Sequence, residues 1–145
     1  MDINIRISKG LDSIQDSHAL RNEVFFREQG IPAELDLDGL DPTSYHMLAY
    51  KNDHIIGTAR LTPVDSSKAI LSRVAVKKEF RGSGIASKLV KASLDQAEQI
   101  KTQLIEITPH AYLKEFYEEF GFKYTNKAGE VAGHPLVKME LPIAY

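Results

Sequence analysis

Ala69-Ile-Leu-Ser-Arg-Val-Ala-Val-Lys-Lys-Glu-Phe-Arg-Gly-Ser-Gly-Ile-Ala-Ser-Lys-Leu-Val90, running on to Ile100, decides how this chain folds. Ala69 to Val76 is apolar and rich in β-branched residues, the composition of a buried strand. Gly82 and Gly84 follow and let the backbone turn tightly. Ile85, Leu89, Leu94, Ala97 and Ile100 then recur near a 3.6-residue period, so an amphipathic helix is expected. A glycine turn feeding a helix leaves backbone N–H groups without intrahelical partners at the positive end of the helix dipole, a ready site for phosphate. Arg81 enters the same turn and can add charge to an anion site. The competing reading is a βα connection that binds nothing, because glycine is a default turn residue.

Three phosphate-binding turns compete for this sequence. A P-loop needs lysine and then Ser or Thr after its second glycine, but Ile85 and Ala86 follow Gly84. A dinucleotide turn needs G-x-G-x-x-G, and Gly82-Ser-Gly84-Ile-Ala-Ser87 supplies two glycines and a serine. Glu106 even lies about 20 residues on, where a ribose-binding acid would stand. Too little chain follows, however, for the successive βαβ units of a dinucleotide domain. The third pattern is [QR]-x-x-G-x-[GA], and Arg81-Gly82-Ser83-Gly84-Ile85-Ala86 fits each fixed position. In this turn, its flanking elements and a later tyrosine-bearing helix, the chain resembles the GNAT family of N-acetyltransferases. Leu20 to Asp41 and the ending resemble its small ElaA-like branch.

The resemblance implies an α/β (α+β) acyl-CoA N-acyltransferase fold. A mixed central sheet of about six to seven strands would carry about three to four helices, with acetyl-CoA in the splay between two central strands. With 145 residues, one domain spanning 1–145 is the natural expectation. A hydrophobic content of 43%, a charged content of 26% and a net charge of −2 are ordinary, giving no reason to expect nucleic acid or an anionic membrane as partner. The absence of cysteine removes disulfides, thiolate metal sites and a cysteine nucleophile. Met1-Asp-Ile-Asn-Ile-Arg lacks the plan of a signal peptide, and no apolar run approaches the ~20 residues of a membrane span. A cytoplasmic protein without a metal is expected, and exposed edge strands leave a homodimer open.

Outward from the central stretch, Ile3, Ile5 and Ile7 alternate with polar residues as a first strand that Gly10 breaks. Asp12 or Ser13 can cap a helix reaching about Gln29, with Gly30 as its stop. Ile31 to Pro42 reads as an acidic loop too irregular for a continuous helix. Its Glu34, Asp36, Asp38 and Asp41 read as a solvated charge run, as ligands for a hard cation or as a lip attracting a cationic amine. Tyr45 to Lys51 and His54 to Thr62 form a hairpin across Asn52-Asp53. Leu104 to Thr108 is a short interior strand, Ala111 to Phe120 a helix, Phe122 to Thr125 the start of another strand and Leu136 to Leu141 the last.

The resemblance also assigns chemistry. With pyrophosphate at Arg81, Gly82, Ser83, Gly84, Ile85 and Ala86, the pantetheine arm would run along Val74, Ala75 and Val76. It would pair there as another strand would. A backbone N–H of this strand would stabilise the thioester oxyanion, an effect often worth ~3 kcal/mol. Phe116-Tyr117-Glu-Glu-Phe-Gly-Phe122 matches the family's signature, which makes Tyr117 the general acid for the leaving thiolate. His110 stands where many relatives have an asparagine that contacts the cofactor arm. An alkylamine of pKa ~10.4 is mostly protonated at neutral pH, a gap of ~4.6 kcal/mol, so it needs help to become nucleophilic. Many relatives place a carboxylate where this chain has Ser72, leaving Glu28 and His46 as candidate bases. His134-Pro135 reverses a pair found in the ElaA-like branch, and His134 is expected to be loop structure without a catalytic role. The function expected is direct acetyl transfer from acetyl-CoA to a primary amine of a small molecule or protein. The alternative is a non-catalytic acyl-CoA-binding sensor or interaction module.

Overall fold

The computed structural model describes residues 3–9 and 11–144, so Gly10 as strand breaker and the side chain of Asp12 as cap lie outside it. Seven strands form one sheet in the order β1-β2-β3-β4-β5-β7-β6. They are β1 (Asn4–Ser8), β2 (Tyr45–Lys51), β3 (His54–Pro63), β4 (Lys68–Val76), β5 (Leu104–Ile107), β6 (Lys123–Val131) and β7 (His134–Pro142). Every neighbouring pair is antiparallel except β4 and β5. That parallel pair requires a crossover, which α3 (Ile85–Gln99) supplies. Of the expected stripe, Ile85, Leu89 and Ala97 are buried in the main core with Met47, Ile56, Leu61 and Leu71, Leu94 and Ile100 pack partly buried against it, and Val90 joins them. Gly57 lets the helix approach: a Cβ there would stand 2.9 Å from Leu89 Cδ1 and 3.2 Å from Ile85 Cγ2.

Strand β4 is irregular on both of its edges. Its parallel pairing with β5 is confined to Lys68↔Leu104, Ala69↔Ile105 and Ile70↔Glu106, after which the strands part. Opposite β3 the register steps from Thr58↔Ala75 to Arg60↔Ser72, two residues on one strand against three on the other. The extra residue falls at Arg73–Val74, and Arg73 takes a positive φ of 55°. A bulge of this kind exchanges the faces of all residues beyond it. Accordingly Ala69, Leu71, Val74 and Val76 join the core under α3, whereas Ala75 packs on the other face with Leu20 and Val24.

On that second face lies α1 (Leu11–Arg21), which begins ahead of Ser13, so Ser13 is not its cap. The helix expected to continue to Gln29 widens instead into a π-helix over Asn22–Glu28. The five-residue spacing brings Phe25 onto the face of Leu20, where it packs on the small cluster around Ala75. The acidic loop holds one short α-helical turn, α2 (Ala33–Asp36), and ends in a 3₁₀ turn at Asp41–Thr43. The second C-terminal helix is shorter than expected, with α4 covering Lys114–Glu118 after a 3₁₀ turn at Ala111–Leu113.

The last hairpin is longer than expected. Ala132 and Gly133, with φ of 48° and 80°, form its two-residue turn. His134 therefore opens β7 rather than lying in a loop. Strand β6 is almost wholly exposed and irregular in register, so no hydrophobic alternation marks it in the sequence. Gly57→Val should overpack the α3–β3 contact and lower unfolding free energy by about 1–3 kcal/mol, read by urea denaturation. An unchanged midpoint would show that the helix rides freely on β3.

Candidate active site

The turn before α3 has its two glycines in the left-handed region, Gly82 at φ 83° and Gly84 at φ 80°, and a Cβ at either would meet nothing within 4 Å. Conformation rather than crowding selects glycine here. The first backbone bond into the helix is Lys88 N–H to Gly84 O at 3.1 Å, so among the described residues the amides from Gly82 to Ser87 find no backbone acceptor. Ser83 Oγ donates to Phe80 O at 2.6 Å and braces the turn. Arg81 folds back from it: Nε donates to Val76 O at 3.0 Å, and both Nη atoms meet the Glu28 carboxylate at 2.8 Å. Glu28, expected as a base, is thus a partner of the turn's own arginine.

Lys77 N–H reaches back to Ile56 O at 2.7 Å, so this end of β4 points alternate backbone groups toward β3. By alternation the Ala75 groups face β3, and those of Val74 and Val76 face the gap left by β5. Of the three residues expected to meet the cofactor arm, Ala75 turns its backbone away from the gap.

A cavity of about 380 Å³ opens where the two strands part. Val74 and Ser72 line it from β4, Thr108 to His110 from the end of β5, and Tyr117 from α4. Tyr117 is only 4% exposed, touches Phe116 and Phe122 edge-on, and has its phenol pKa pushed well above 10 by burial. Such a phenol stays protonated near neutrality, so at rest it can give a proton but not take one. His46 is not among the lining residues. It is fully buried in β2, with Nε2 donating to Asp41 O at 2.9 Å and its pKa driven down chiefly by burial. The structure makes it a packing residue.

Six charged side chains form a network beside Ser72, of which Asp36, Asp38, Arg60 and Arg73 line the cavity. Fully buried Arg21 meets Asp36 at 3.0 Å and Asp41 at 2.8 Å. Arg60 meets Asp38 at 2.7 Å and Asp41 at 3.1 Å, and Arg73 meets Asp36 at 2.9 Å and Asp38 at 3.3 Å. Ser72 Oγ accepts from Arg60 Nε at 3.3 Å. The acidic loop is therefore neither a solvated charge run nor a lip nor a cation site at these three aspartates: their oxygens are taken by arginines. Among the described residues no cluster of His, Cys, Asp and Glu is arranged for a metal ion. Sequence reading overlooked Arg21, Arg60 and Arg73. Their signal was arginine inside otherwise apolar strand and helix patterns, opposite an equal number of loop acids.

Residues 13–143 match the description "Acetyltransferase (GNAT) domain". The chain belongs to the GNAT acetyltransferases. It is 36% identical over 115 residues to the UPF0039 protein sll0451 of Synechocystis, covering 77% of this chain and 74% of that one. Against protein ElaA of Escherichia coli the identity is 30% over 125 residues, 83% of this chain and 81% of the relative. The crystal structure of ElaA superimposes with a TM-score of 0.86, covering 96% of this chain and 99% of the other. A GNAT family acetyltransferase from Elizabethkingia anophelis, solved with acetyl-CoA bound, shares the fold. Its TM-score is 0.75 at 17% identity, with coverage of 97% and 98%.

His110 lines the far side of the cavity in this GNAT domain, and His134 packs against it. His110 Nε2 lies 3.0 Å from Gln29 Oε1, and His134 Nε2 lies 3.0 Å from Gln29 O. Their rings meet edge to face at 4.9 Å. With Gln29 Oε1 as acceptor, His110 carries its proton on Nε2. Burial, then the neighbouring His134, lowers the His110 pKa, and its Nδ1 is buried without a partner. His134, expected to be loop, instead ties β7 to the end of the π-helix.

The aspartate wall predicts a pH dependence. Burial pushes the Asp41 pKa up, but hydrogen bonds from Arg21 and His18, the Arg21 charge and a bond from Arg60 outweigh it. Asp41 therefore stays well below its ordinary 3.8 in the folded chain. A depressed folded pKa gives stability that is present above the unfolded value and lost as pH falls below it. Unfolding should sharpen below about pH 4. Asp41→Asn should cost about 3–5 kcal/mol at neutral pH and flatten that acid limb, as followed by circular dichroism. A limb that keeps its shape in the variant would show that Asp41 does not set the acid sensitivity.

Proposed function

We propose that this chain transfers the acetyl group of acetyl-CoA directly to a primary amine, with the turn at Arg81 to Ala86 as the pyrophosphate site. The observation that carries the reading is the run of amides from Gly82 to Ser87 without backbone acceptors among the described residues, opening on space at the N-terminus of a 15-residue helix. The relative solved with acetyl-CoA bound, on the same fold, supports it. GNAT membership supports acyl transfer from acyl-CoA at the coarser level.

Acetyl-CoA supplies the thioester carbonyl that an amine attacks. The chain's residues have separable tasks. Val74 and Val76 offer their gap-facing backbone groups to the amides of the pantetheine arm, with Val76 O already engaged by Arg81. The Val74 N–H, at the bulge, is suited to the developing oxyanion. His110 narrows the channel from the β5 side and, held through Nε2 by Gln29, acts by shape rather than by donating to the arm. Tyr117 holds the proton for the departing sulfur. Transfer from a phenol of raised pKa becomes feasible only because the same burial raises the proton affinity of the thiolate. The cysteine-free sequence suits a cytoplasmic setting.

Calorimetric titration with acetyl-CoA tests the reading, with Arg81→Ala/Gly84→Glu as control. Micromolar binding by the parent and loss in the variant are expected; equal binding by both would remove the turn from the cofactor site. Tyr117→Phe should bind acetyl-CoA normally and lose about 10²–10⁴-fold in turnover. Parent-level turnover in that variant would exclude Tyr117 as the acid, and binding without turnover in the parent would favour the sensor alternative. Glu28→Gln releases Arg81 from its carboxylate. It should tighten acetyl-CoA several-fold, and weaker binding would mean that Glu28 positions Arg81 for the phosphates.

A further inference from the structure

We infer that the acceptor is a weakly basic amine on an apolar, aromatic body, one that is already unprotonated at neutral pH, and this inference rests on the acetyl transfer proposed above. The titratable side chains lining the cavity are Asp36, Asp38, Arg60, Arg73, His110 and Tyr117. Arg60 and Arg73 are cations, Tyr117 is a neutral phenol whose pKa burial raises, and the lone pairs of the other three are engaged or buried. Asp38 accepts from Arg60 Nη1 and Nη2 at 2.9 and 2.7 Å, from Arg73 at 3.3 Å and from the Leu40 amide at 3.1 Å. Asp36 is held by Arg21 Nε at 3.1 and 3.2 Å on its two oxygens and by Arg73 Nε at 2.9 Å. His110 Nδ1 is unpartnered but buried.

The same network removes the attraction that a cation would need. Three arginines face three aspartates, so the wall offers no surplus negative charge, and an alkylammonium would enter with neither a counter-ion nor a base. Stripping its proton would then cost the enzyme ~4.6 kcal/mol without help. An arylamine carries no such cost. The remaining lining matches its body: Phe25, Ile31, Ile70, Leu113, Val131 and Leu136 are apolar. Leu35 and Leu40, also in the lining, are 54% and 38% exposed, and the exposed acid between them, Asp38, is taken by Arg60 and Arg73.

The proton balance closes without a dedicated base. The neutral nitrogen forms the C–N bond, the C–S bond breaks, and the sulfur takes the Tyr117 proton. The phenolate left behind recovers a proton from the adduct nitrogen, which attack has made strongly acidic. The products are the N-aryl acetamide and free coenzyme A thiol.

Two isomers of equal size separate the idea from its rivals: p-toluidine, an arylamine, and benzylamine, an alkylamine. Thiol release from acetyl-CoA would be followed with each, and with spermidine, from about pH 6 to about pH 8.5. At neutral pH kcat/KM should be at least about tenfold higher for p-toluidine, with a flat pH profile, and should rise about tenfold per pH unit for benzylamine. Preference for benzylamine or spermidine, or a p-toluidine rate that climbs with pH, would overturn the assignment. Calorimetry of p-toluidine against the protein loaded with coenzyme A gives a second reading. Binding that weakens about tenfold in Leu40→Arg, with acetyl-CoA affinity unchanged, supports the assignment; no p-toluidine binding overturns it. Acetyl-CoA binding in either case keeps the transfer reading intact, whereas its absence would sink both.

Discussion

The extra residue that β4 carries at Arg73–Val74 governs the rest of the molecule. Upstream of it the strand pairs with β5 and faces α3 through Ala69 and Leu71; downstream the pairing is gone and the faces are exchanged. The backbone groups of Val74 and Val76 then meet a gap instead of a neighbouring strand, with Val76 O taken by Arg81. Unpaired backbone in a protein interior is costly unless something else satisfies it. A gap beside a central strand consequently leaves room for a partner to that backbone, and an extended chain carrying two amides is a fitting one.

Arg73 explains how the bulge is held. A non-glycine residue at φ 55° needs compensation from its surroundings. Its guanidinium supplies that by bonding to Asp36 and Asp38, and these acids are gripped in turn by Arg21 and Arg60. The acidic loop is thereby fastened to both α1 and the sheet, and one network fixes the strand geometry and the charge of the cavity wall. The two functions cannot be tuned separately: freeing a carboxylate for an ammonium would loosen the support of the bulge.

Much of this was legible in the sequence. The strand, glycine turn and helix from Ala69 to Ile100 were readable because burial on one helical face and left-handed glycines leave local marks. The helix bearing Tyr117 was readable through the aromatic residues around it, although it is shorter than expected. The π-helix at Asn22–Glu28 was not, since nothing in local propensity separates five-residue from four-residue spacing; the gain comes from Phe25 reaching Ala75, a contact far apart in sequence. The Asp–Arg wall failed for the same reason. An acidic loop looks solvated until the fold brings arginines from α1, β3 and β4 against it. His46 and Glu28 carried the right chemistry for a base, yet tertiary contacts gave one to Asp41 O and the other to Arg81.

Amide hydrogen exchange at Val74 and Val76, with and without acetyl-CoA, tests the central claim most directly. If the parted strands form the cofactor slot, these two amides and those from Gly82 to Ala86 should gain protection together on binding, while Ala75, facing β3, should change little. Protection confined to other strands, or binding that leaves Val74 and Val76 exchanging as before, would contradict the claim that the gap beside β4 holds the cofactor.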